Sequence, residues 1–303
     1  RMKAQIKGRA IDIRVSTIPT VHGENLVLRL LDTNKTLLDL KQLGFTGETM
    51  RRFEDRIRRP FGMILEAGPT GSGKTTTLYA ALSMINSVER NIVTIEDPVE
   101  YKLPLIRQIQ VNAKANLTFV NGLRSIVRQD PDVIMVGEIR DPETASIAVQ
   151  AASTGHLVFS TLHTNNAVGA ITRLVEMGVE PFLISSSLIG VLAQRLVRRI
   201  CSQCKEPAAV PEDSVLALFP GEIDKIKQSV KFFKGRGCAR CRNTGYKGRI
   251  GIFELLRMTE KLQELIVEKA SVSLILKEAR VEGMKTLIED AFEAGRQFQL
   301  ITK

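Results

Sequence analysis

One glycine-rich segment constrains the fold more than any other part of this sequence. Residues 68–75 read Gly-Pro-Thr-Gly-Ser-Gly-Lys-Thr and match the pattern G-x4-G-K-[ST] of a phosphate-binding P-loop. An apolar run, Met63–Leu65, precedes the motif, and a segment with helical patterning follows it from Lys74 to about Asn86. Because a P-loop lies where a strand passes into a helix, this context predicts an α/β fold with a nucleotide site at that junction.

The chemistry of this segment follows from its residue types. Glycines let successive backbone N–H groups curl around phosphate oxygens, and the helix N-terminus adds partial positive charge. Lys74 is predicted to bridge the β- and γ-phosphates of ATP, and the Thr75 hydroxyl to bind Mg2+. A glycine turn that binds nothing is the alternative, and the strand-to-helix context disfavours it. The predicted nucleotide-binding residues are Gly68, Pro69, Thr70, Gly71, Ser72, Gly73, Lys74, Thr75 and Thr76.

Apolar runs alternate with helical segments after the P-loop. Apolar strands separated by helices are typical of a parallel sheet that is covered on both faces. The alternation therefore extends the α/β prediction to a RecA-like P-loop domain with a parallel-rich sheet. The segments concerned are strands at 92–95, 133–136 and 157–160 and helices at about 119–128 and 143–152.

Carboxylates follow two of the predicted strands. Glu138 comes just after Val133–Val136, where Gly137 takes the place of the usual Asp, and Glu96 ends another apolar run. Both acids are expected to face the phosphates, since ligands bind at the C-terminal edge of an open α/β sheet. We expect Glu138 to orient or activate the attacking water with Glu96 assisting. For the acidic segment 96–100, a solvated loop is the alternative.

His163 ends the next predicted strand, in Thr154-Gly-His-Leu-Val-Phe-Ser-Thr-Leu-His-Thr-Asn. A lone histidine is more often structural than catalytic. At this strand end, however, His163 is placed to sense the γ-phosphate and to couple hydrolysis to movement.

The cysteines form two C-x2-C pairs. Each pair directs two thiolates to one point, and two pairs complete a tetrahedral Zn2+ shell. All three histidines lie well upstream, and a catalytic zinc would normally use His or carboxylate, so the predicted role is structural. Redox dithiols and short disulfides remain as alternatives. The predicted ligands are Cys201, Cys204, Cys238 and Cys241.

Composition excludes some classes of protein and leaves others open. With 44% hydrophobic and 25% charged residues the chain is an ordinary globular protein. Its net charge of +10 suits nucleic acid, an anionic membrane surface or phosphorylated ligands without choosing among them. Aromatic residues make up only 5%, with no Trp, so a stacking platform for single-stranded nucleic acid has little material. The longest near-apolar stretch, 182–193, is shorter than the roughly 20 residues of a membrane span, so no direct span is expected.

Together these motifs resemble the secretion ATPase superfamily, specifically the type II secretion and type IV pilus assembly ATPases, over nearly the whole length. The amino-acid sequences of 180–188 and 191–198 resemble the type II secretion branch more than the pilus branch. Retraction motors of the superfamily lack the cysteine module, which argues against that interpretation. The segments that carry the resemblance are the P-loop, 96–100, Gly137-Glu138, 154–165 and the four cysteines.

The resemblance implies a function and a setting. It implies a homo-hexameric, ATP-hydrolysing motor that powers assembly of a type II secretion pseudopilus and protein export. Such a motor would lie in the cytoplasm, on the cytoplasmic face of the inner membrane, with inner-membrane platform proteins as partners and no nucleic acid. A type IV pilus assembly ATPase is the nearest alternative. A nucleic-acid translocase and a nucleotide-regulated scaffold are the alternatives from other classes.

The resemblance also implies that arginines reach the nucleotide across subunits. The matching positions are Arg14 and Arg29 in the N-terminal strands and Arg124 and Arg128 before the second acidic motif. Arg29 lies within an apolar strand, where a guanidinium needs a partner anion. For Arg124 and Arg128, an exposed helix face paired with nearby carboxylates is the alternative.

The sequence predicts five parts. Residues 1–33 form the C-terminal part of a small αβ domain, and residues 34–47 form a linker. The RecA-like domain covers 48–200, the zinc module covers 201–249 and a helical subdomain covers 250–303. Glu66 departs from the family pattern, which usually carries an apolar residue there. A carboxylate near a phosphate site is unfavourable, so Glu66 is expected to point away or to pair with a base such as Arg90.

Overall fold

The structure is a computed structural model, and it describes residues 2–6, 9–32, 39–209 and 232–298. The predicted N-terminal strands are confirmed as an antiparallel three-stranded sheet, in the order β1-β2-β3. A two-residue turn joins β2 to β3, with Gly23 at φ +114° in the left-handed region that glycine tolerates. The strands are β1 (Met2–Ile6), β2 (Arg9–Thr20) and β3 (Gly23–Asp32).

A seven-stranded sheet forms the centre of the molecule, in the order β12-β9-β4-β8-β7-β5-β6. All neighbours are parallel except β12, which is antiparallel to β9. The predicted α/β class with a parallel-rich sheet is thus confirmed. The strands are β4 (Gly62–Ala67), β5 (Ile92–Glu96), β6 (Arg107–Gln110), β7 (Val133–Val136), β8 (Leu157–Leu162), β9 (Leu188–Ile200) and β12 (Tyr246–Arg257).

Helices cover both faces of this sheet, and the central strands β4, β5, β7 and β8 are accordingly buried along their whole length. One core contains side chains of α1, α2 and α3, and the other contains side chains of α4 through α9. The helices of the first face are α1 (Leu40–Leu43), α2 (Gly47–Ile57) and α3 (Lys74–Ile85). Those of the second face are α4 (Phe119–Ile126), α5 (Pro142–Ser153), α6 (Ala167–Glu176), α7 (Pro181–Ser187), α8 (Glu260–Val267) and α9 (Val272–Val281).

Part of the predicted linker over 34–47 is instead packed into the core. Leu40 and Leu43, three positions apart on α1, are buried, and Asp39 with Gln42 forms a capping box at its start. Phe45 stacks on Phe253, with ring centroids 3.7 Å apart. Leu40, Leu43 and Phe45 are buried although polar residues lie between them. The second part of the predicted linker, from Asp39 onward, therefore belongs to the folded domain. Residues 34–38 of the segment lie outside the described part of the chain.

The predicted boundary at 249/250 also differs from the structure, because it falls inside β12. This strand joins the central sheet through nine consecutive pairings of Arg249–Arg257 with β9, and a register shift separates these from a further pairing of Tyr246 with Ile200. Its residues 250–256 are buried, so they belong to the sheet rather than to a helical subdomain. Helices α8, α9 and α10 (Leu287–Phe298) follow it.

The near-apolar stretch 182–193 is divided between α7 and β9. Among the residues that the structure describes, no helix has the length and apolar composition to cross a bilayer.

Candidate functional site

The P-loop lies between β4 and α3, where the sequence placed it. Gly71 and Gly73 have φ values of +81° and +97°, which favour glycine. A Cβ at Gly73 would lie 2.7 Å from Gln194 Nε2 of β9, so a side chain here would also displace the Gln194 amide. The N-cap of α3 is Gly73, which has no side chain to cap the first turn. The backbone N–H groups in the first turn of α3 are therefore available to bind an anion.

Two side chains of the loop fit a phosphate ligand. The Lys74 ammonium donates to Gly68 O at 2.6 Å and to Pro69 O at 3.1 Å, so it already points into the loop. The buried Ser72 hydroxyl has no hydrogen-bond partner among the described residues. Burial lowers the pKa of Lys74, whereas the carboxylates of Glu66 and Glu138 act to raise it. The loop thus combines N–H donors with an ammonium group, as phosphate binding requires.

Glu138 lies at the C-terminal end of β7, as predicted, and its carboxylate is held by two side chains. Arg140 reaches one oxygen at 2.7 Å, and His163 Nε2 lies 3.5 Å from the other. The Glu138 side chain is 12% exposed, whereas those of Arg140 and His163 are largely exposed. The structure therefore brings Glu138 and His163 together at the C-terminal ends of β7 and β8. Glu138 lies close enough to Lys74 for its charge to affect the Lys74 pKa.

The geometry also explains Gly137. A Cβ there would lie 3.3 Å from both Glu96 Cα and Ile95 O, so a side chain at this position would press on the end of β5. Hydroxyl groups of β8 support the same turn, with Thr161 Oγ1 donating to Gly137 O at 2.9 Å. Because Gly137 has no side chain, the backbones of β5 and β7 can approach closely at the ends that lead to Glu96 and Glu138.

Glu96 is buried, with 3% of its surface exposed, so the solvated-loop interpretation is wrong for this residue. Its carboxylate accepts hydrogen bonds from Thr94 Oγ1 at 2.6 Å, from Gln108 Nε2 at 3.1 Å and from Tyr79 Oη. Burial raises its pKa, and these three hydrogen bonds lower it. Glu96 therefore lies inside the layer beneath α3, whereas Glu138 lies at the edge of the sheet.

The predicted arginines lie in two places. Arg14 and Arg29 are directly opposite each other on β2 and β3, so the N-terminal sheet presents both guanidinium groups on one face. Arg14 forms an ion pair with Glu100 at 2.8 Å, and Arg29 is exposed. Arg124 pairs with Glu143 of α5, which is the alternative stated for it, and Arg128 is exposed at the end of α4.

Glu66 neither points away from the fold nor pairs with Arg90. It is 1% exposed on β4, one position before Ala67, and neither carboxylate oxygen has a partner in hydrogen-bond geometry among the described residues. Burial raises the pKa of Glu66 well above its ordinary value, and the Lys74 ammonium and the Thr77 hydroxyl act in the opposite direction.

Several residues around the P-loop were not assigned a role from the sequence. Gln194 of β9 accepts a hydrogen bond from Thr77 of α3 at 2.8 Å and closes the space beside Gly73. Arg140 lies two positions after Glu138 in the sequence. This spacing was the only sequence feature that could have indicated its contact with Glu138. Tyr79 and Gln108 had no local signal, because their contacts with Glu96 depend on which strands become neighbours.

The four cysteines meet as predicted, and their thiol groups fit a tetrahedral zinc ion. All four sulfur atoms lie within 4.8 Å of one another, and three of the pairs are separated by 3.7–3.8 Å. Sulfur atoms about 2.3 Å from a tetrahedral zinc would be about 3.8 Å apart. None of the four cysteines forms a disulfide. The short antiparallel pair β10 (Lys205–Ala208) and β11 (Phe232–Gly235) frames the cluster.

Comparison with known proteins supports the family resemblance that the sequence motifs indicate. The family model described as "Type II/IV secretion system protein" matches residues 1–302. The Type II secretion system ATPase E of Vibrio cholerae is 54% identical over 297 residues, which is 98% of this chain and 58% of that protein. The Type IV pilus assembly ATPase PilB of Thermus thermophilus is 52% identical over 282 residues, which is 92% of this chain and 31% of that protein.

Solved structures agree on the fold. The pilus retraction motor PilT with bound ADP superimposes with a TM-score of 0.63 at 29% identity, over 97% of this chain and 76% of that chain. The ATPase DotB of Legionella pneumophila reaches 0.69 at 21% identity, over 100% of this chain and 74% of that chain. The chain spans a little over half the length of the Vibrio relative. By sequence and by fold, this chain belongs to the type II/IV secretion system protein family.

Proposed function

We propose that this chain is the ATPase portion of a homo-hexameric motor, located in the cytoplasm at the inner membrane. Hydrolysis of Mg–ATP would drive assembly of a type II secretion pseudopilus and protein export through inner-membrane platform proteins. The observation that carries the proposal is that the P-loop, after β4, and Glu138, after β7, lie at the same C-terminal end of parallel strands, with His163 beside Glu138. A relative named as a type II secretion system ATPase and two named as type II secretion system protein E support the same assignment.

Each group has a part in this proposal. The N–H groups of residues 71–76 and the Lys74 ammonium hold the phosphates, and the Thr75 hydroxyl holds Mg2+. The bound ion would neutralise charge that develops on the phosphate oxygens. Glu138 orients or activates the attacking water with Glu96 assisting, and His163 beside Glu138 responds to the γ-phosphate.

The arginines complete the site in the assembled ring. Arg14 and Arg29, side by side on the N-terminal sheet, would stabilise the phosphoryl charge of a nucleotide bound to a neighbouring subunit, with Arg124 and Arg128 as the arginines of the RecA-like domain. In the isolated chain Arg14 is occupied by Glu100. We therefore expect turnover to rise with protein concentration as subunits assemble.

Zinc is proposed as a structural ion of the tetracysteine module. The sulfur geometry supports this, and Cys238 N donates to Cys241 Sγ at 3.2 Å, as backbone amides do toward metal-bound thiolates. No open coordination position would remain with four thiolates, so the ion holds the module together rather than taking part in hydrolysis.

Phosphate release with Mg–ATP tests the function. Lys74→Ala should abolish turnover, since the loop loses the cation that holds the β- and γ-phosphates. Glu138→Gln should bind ATP and leave it uncleaved. Glu176→Gln, the same chemical change at an exposed ion pair of α6, serves as the control and should turn over normally. Full activity in Glu138→Gln would remove that residue from its role.

The same assay separates the other functions. Negligible phosphate release by the assembled wild-type protein would favour a nucleotide-regulated scaffold. A rate that DNA or RNA raises, with the steep salt dependence of phosphate contacts, would favour a nucleic-acid translocase. The similarity to PilB makes type IV pilus assembly the second candidate, and complementation of a secretion-deficient strain against a pilus-deficient strain distinguishes the two pathways.

A further inference from the structure

Tyr79 lies at the centre of a buried polar network around Glu96 and has no part in the proposed mechanism. It is on α3, five positions after Lys74, and is fully buried. Its hydroxyl donates to the Glu96 carboxylate of β5. A buried tyrosine hydroxyl needs a partner, but a backbone carbonyl would serve that purpose. Here the partner is one of the acids of the candidate site.

The Tyr79 hydroxyl also holds the segment that follows Glu96. The backbone N–H of Glu100 donates to it at 3.3 Å, and Gln108 Nε2 lies 3.4 Å away. The ring of Tyr101 packs edge-on against the Tyr79 ring, with centroids 4.6 Å apart. One hydroxyl group therefore joins the P-loop helix to both ends of the acidic segment 96–100.

The network continues to the N-terminal sheet. The side chain of Glu100, whose backbone is held by Tyr79, forms the ion pair with Arg14 at 2.8 Å. Both members of this pair are only partly exposed, at 22% and 32%. Contacts therefore run without a break from Arg14 through Glu100 and Tyr79 to Glu96.

We propose that Tyr79 is a positioning residue for hydrolysis: it fixes the Glu96 carboxylate and the Glu100 backbone on the P-loop helix, so that the acidic segment 96–100 keeps one arrangement relative to the P-loop. This inference rests on the proposed ATPase function. Tyr79 touches neither substrate nor metal in this proposal and acts only through the acidic segment.

The network has a consequence for the ionisation of Glu96. The titratable groups that face it are Tyr79 from α3 and Glu100 and Tyr101 from the segment after β5. Burial raises the pKa of Glu96, the hydrogen bonds from Thr94, Tyr79 and Gln108 lower it, and the Glu100 charge raises it further. Loss of the Tyr79 hydroxyl therefore moves the Glu96 pKa upward, and the acid limb of the pH–rate profile should move to higher pH.

The test is Tyr79→Phe in the assembled protein, with Tyr101→Phe as the matched control. Both variants keep the ring and lose one hydroxyl group. We expect kcat of Tyr79→Phe to fall by about tenfold, as loss of one hydrogen bond to a charged group would give. The KM for ATP and the Kd of a non-hydrolysable analogue should stay within about twofold, since the P-loop is unchanged. Tyr101→Phe should retain normal turnover.

Two further variants keep the test decisive if Tyr79→Phe is poorly folded. Thr94→Val removes another donor to Glu96 without touching α3, and should move the acid limb in the same direction. In the double variant Tyr79→Phe with Glu96→Gln, the loss in kcat should be smaller than the product of the two single losses, because both changes act in part through the same carboxylate.

The inference is overturned by a Tyr79→Phe enzyme with wild-type kcat and an unmoved acid limb, by an equal loss in Tyr101→Phe, or by additive losses in the double variant. These results are separate from failure of the proposed function. If Lys74→Ala hydrolyses ATP as fast as the wild type, it is the ATPase assignment that is wrong.

Discussion

At the scale of single residues, Glu66 carries a carboxyl group into the interior immediately before the P-loop. Its neighbours in register are Thr161 of β8 and Leu192 of β9, and the layer above it is α3. Neither carboxylate oxygen has a hydrogen-bond partner among the described residues. A buried carboxyl without full hydrogen bonding destabilises a fold, and the Lys74 charge compensates only in part.

Glu66→Val should therefore stabilise the protein. We expect the free energy of unfolding to rise by about 1–3 kcal/mol at pH 7.5, because an unsatisfied polar group is replaced by an apolar one of smaller volume. Urea denaturation measures this, with Glu89→Val, a substitution in the turn after α3, as the control. A less stable Glu66→Val protein would mean that attraction to Lys74 outweighs the cost of burial.

The pH dependence at Glu66 has a defined sign. Its pKa in the folded protein is raised well above the ordinary value of 4.5. The folded state thus binds the proton more tightly, and this contribution to stability is complete below about pH 4.5 and is lost as pH rises. Relative to Glu66→Gln, which does not titrate, the wild type should lose stability with increasing pH.

At the scale of secondary-structure elements, β12 is held in the central sheet by acids that bond to backbone N–H groups. Glu254 accepts from Ala167 N, at the start of α6, at 2.7 Å and from Leu287 N, at the start of α10, at 3.3 Å. Asp290 of α10 accepts from Phe253 N at 2.7 Å. Carboxylates at helix N-termini and at the outer edge of a strand satisfy groups that the sheet leaves free.

Asp290 gives the element-scale prediction. Burial raises its pKa from 3.8 to about 6, and the hydrogen bond from Phe253 acts in the opposite direction. The raised value means that its contribution to stability is complete below about pH 4 and is lost between about pH 4 and pH 6. Over that interval the wild type should lose up to about 3 kcal/mol relative to Asp290→Asn.

Chemical denaturation of the two proteins at intervals from pH 4 to pH 8 measures this difference. Parallel curves would show that Asp290 keeps an ordinary pKa, and a wild type that gains stability over the interval would reverse the sign of the shift.

At the scale of the whole molecule, the described residues of the cysteine module, 201–209 and 232–245, form little hydrophobic core of their own. Their core cluster consists of Cys201, Cys204 and Cys241 with Cys238 packed against them. The central sheet, by contrast, has two extensive apolar cores. A structural metal supplies folding free energy where apolar burial is small.

Removal of zinc should therefore unfold the module and leave the central sheet folded. Freshly purified, reduced protein should contain one zinc per chain by elemental analysis. After chelation, hydrogen exchange should lose protection over 201–209 and 232–245, while β4 and β8 stay protected. Absence of metal in reduced protein would favour the redox alternative, and collapse of the whole sheet after chelation would contradict an independent module.

The short-range features of this protein were decided by its sequence. The P-loop, the strand-and-helix alternation and the C-x2-C turns arise from local periodicity and glycine geometry, so the positions of Lys74, Glu138 and the four sulfur ligands were predictable. The backbone conformations concerned depend on residues within a few positions of one another.

Only the tertiary structure decided which distant residues meet. The pairing of Arg14 with Glu100, the burial of Glu96 against Tyr79, the isolation of Glu66 and the entry of β12 into the sheet all depend on the order of strands. That order is set by the total burial of apolar faces across the whole domain, and no local pattern records it.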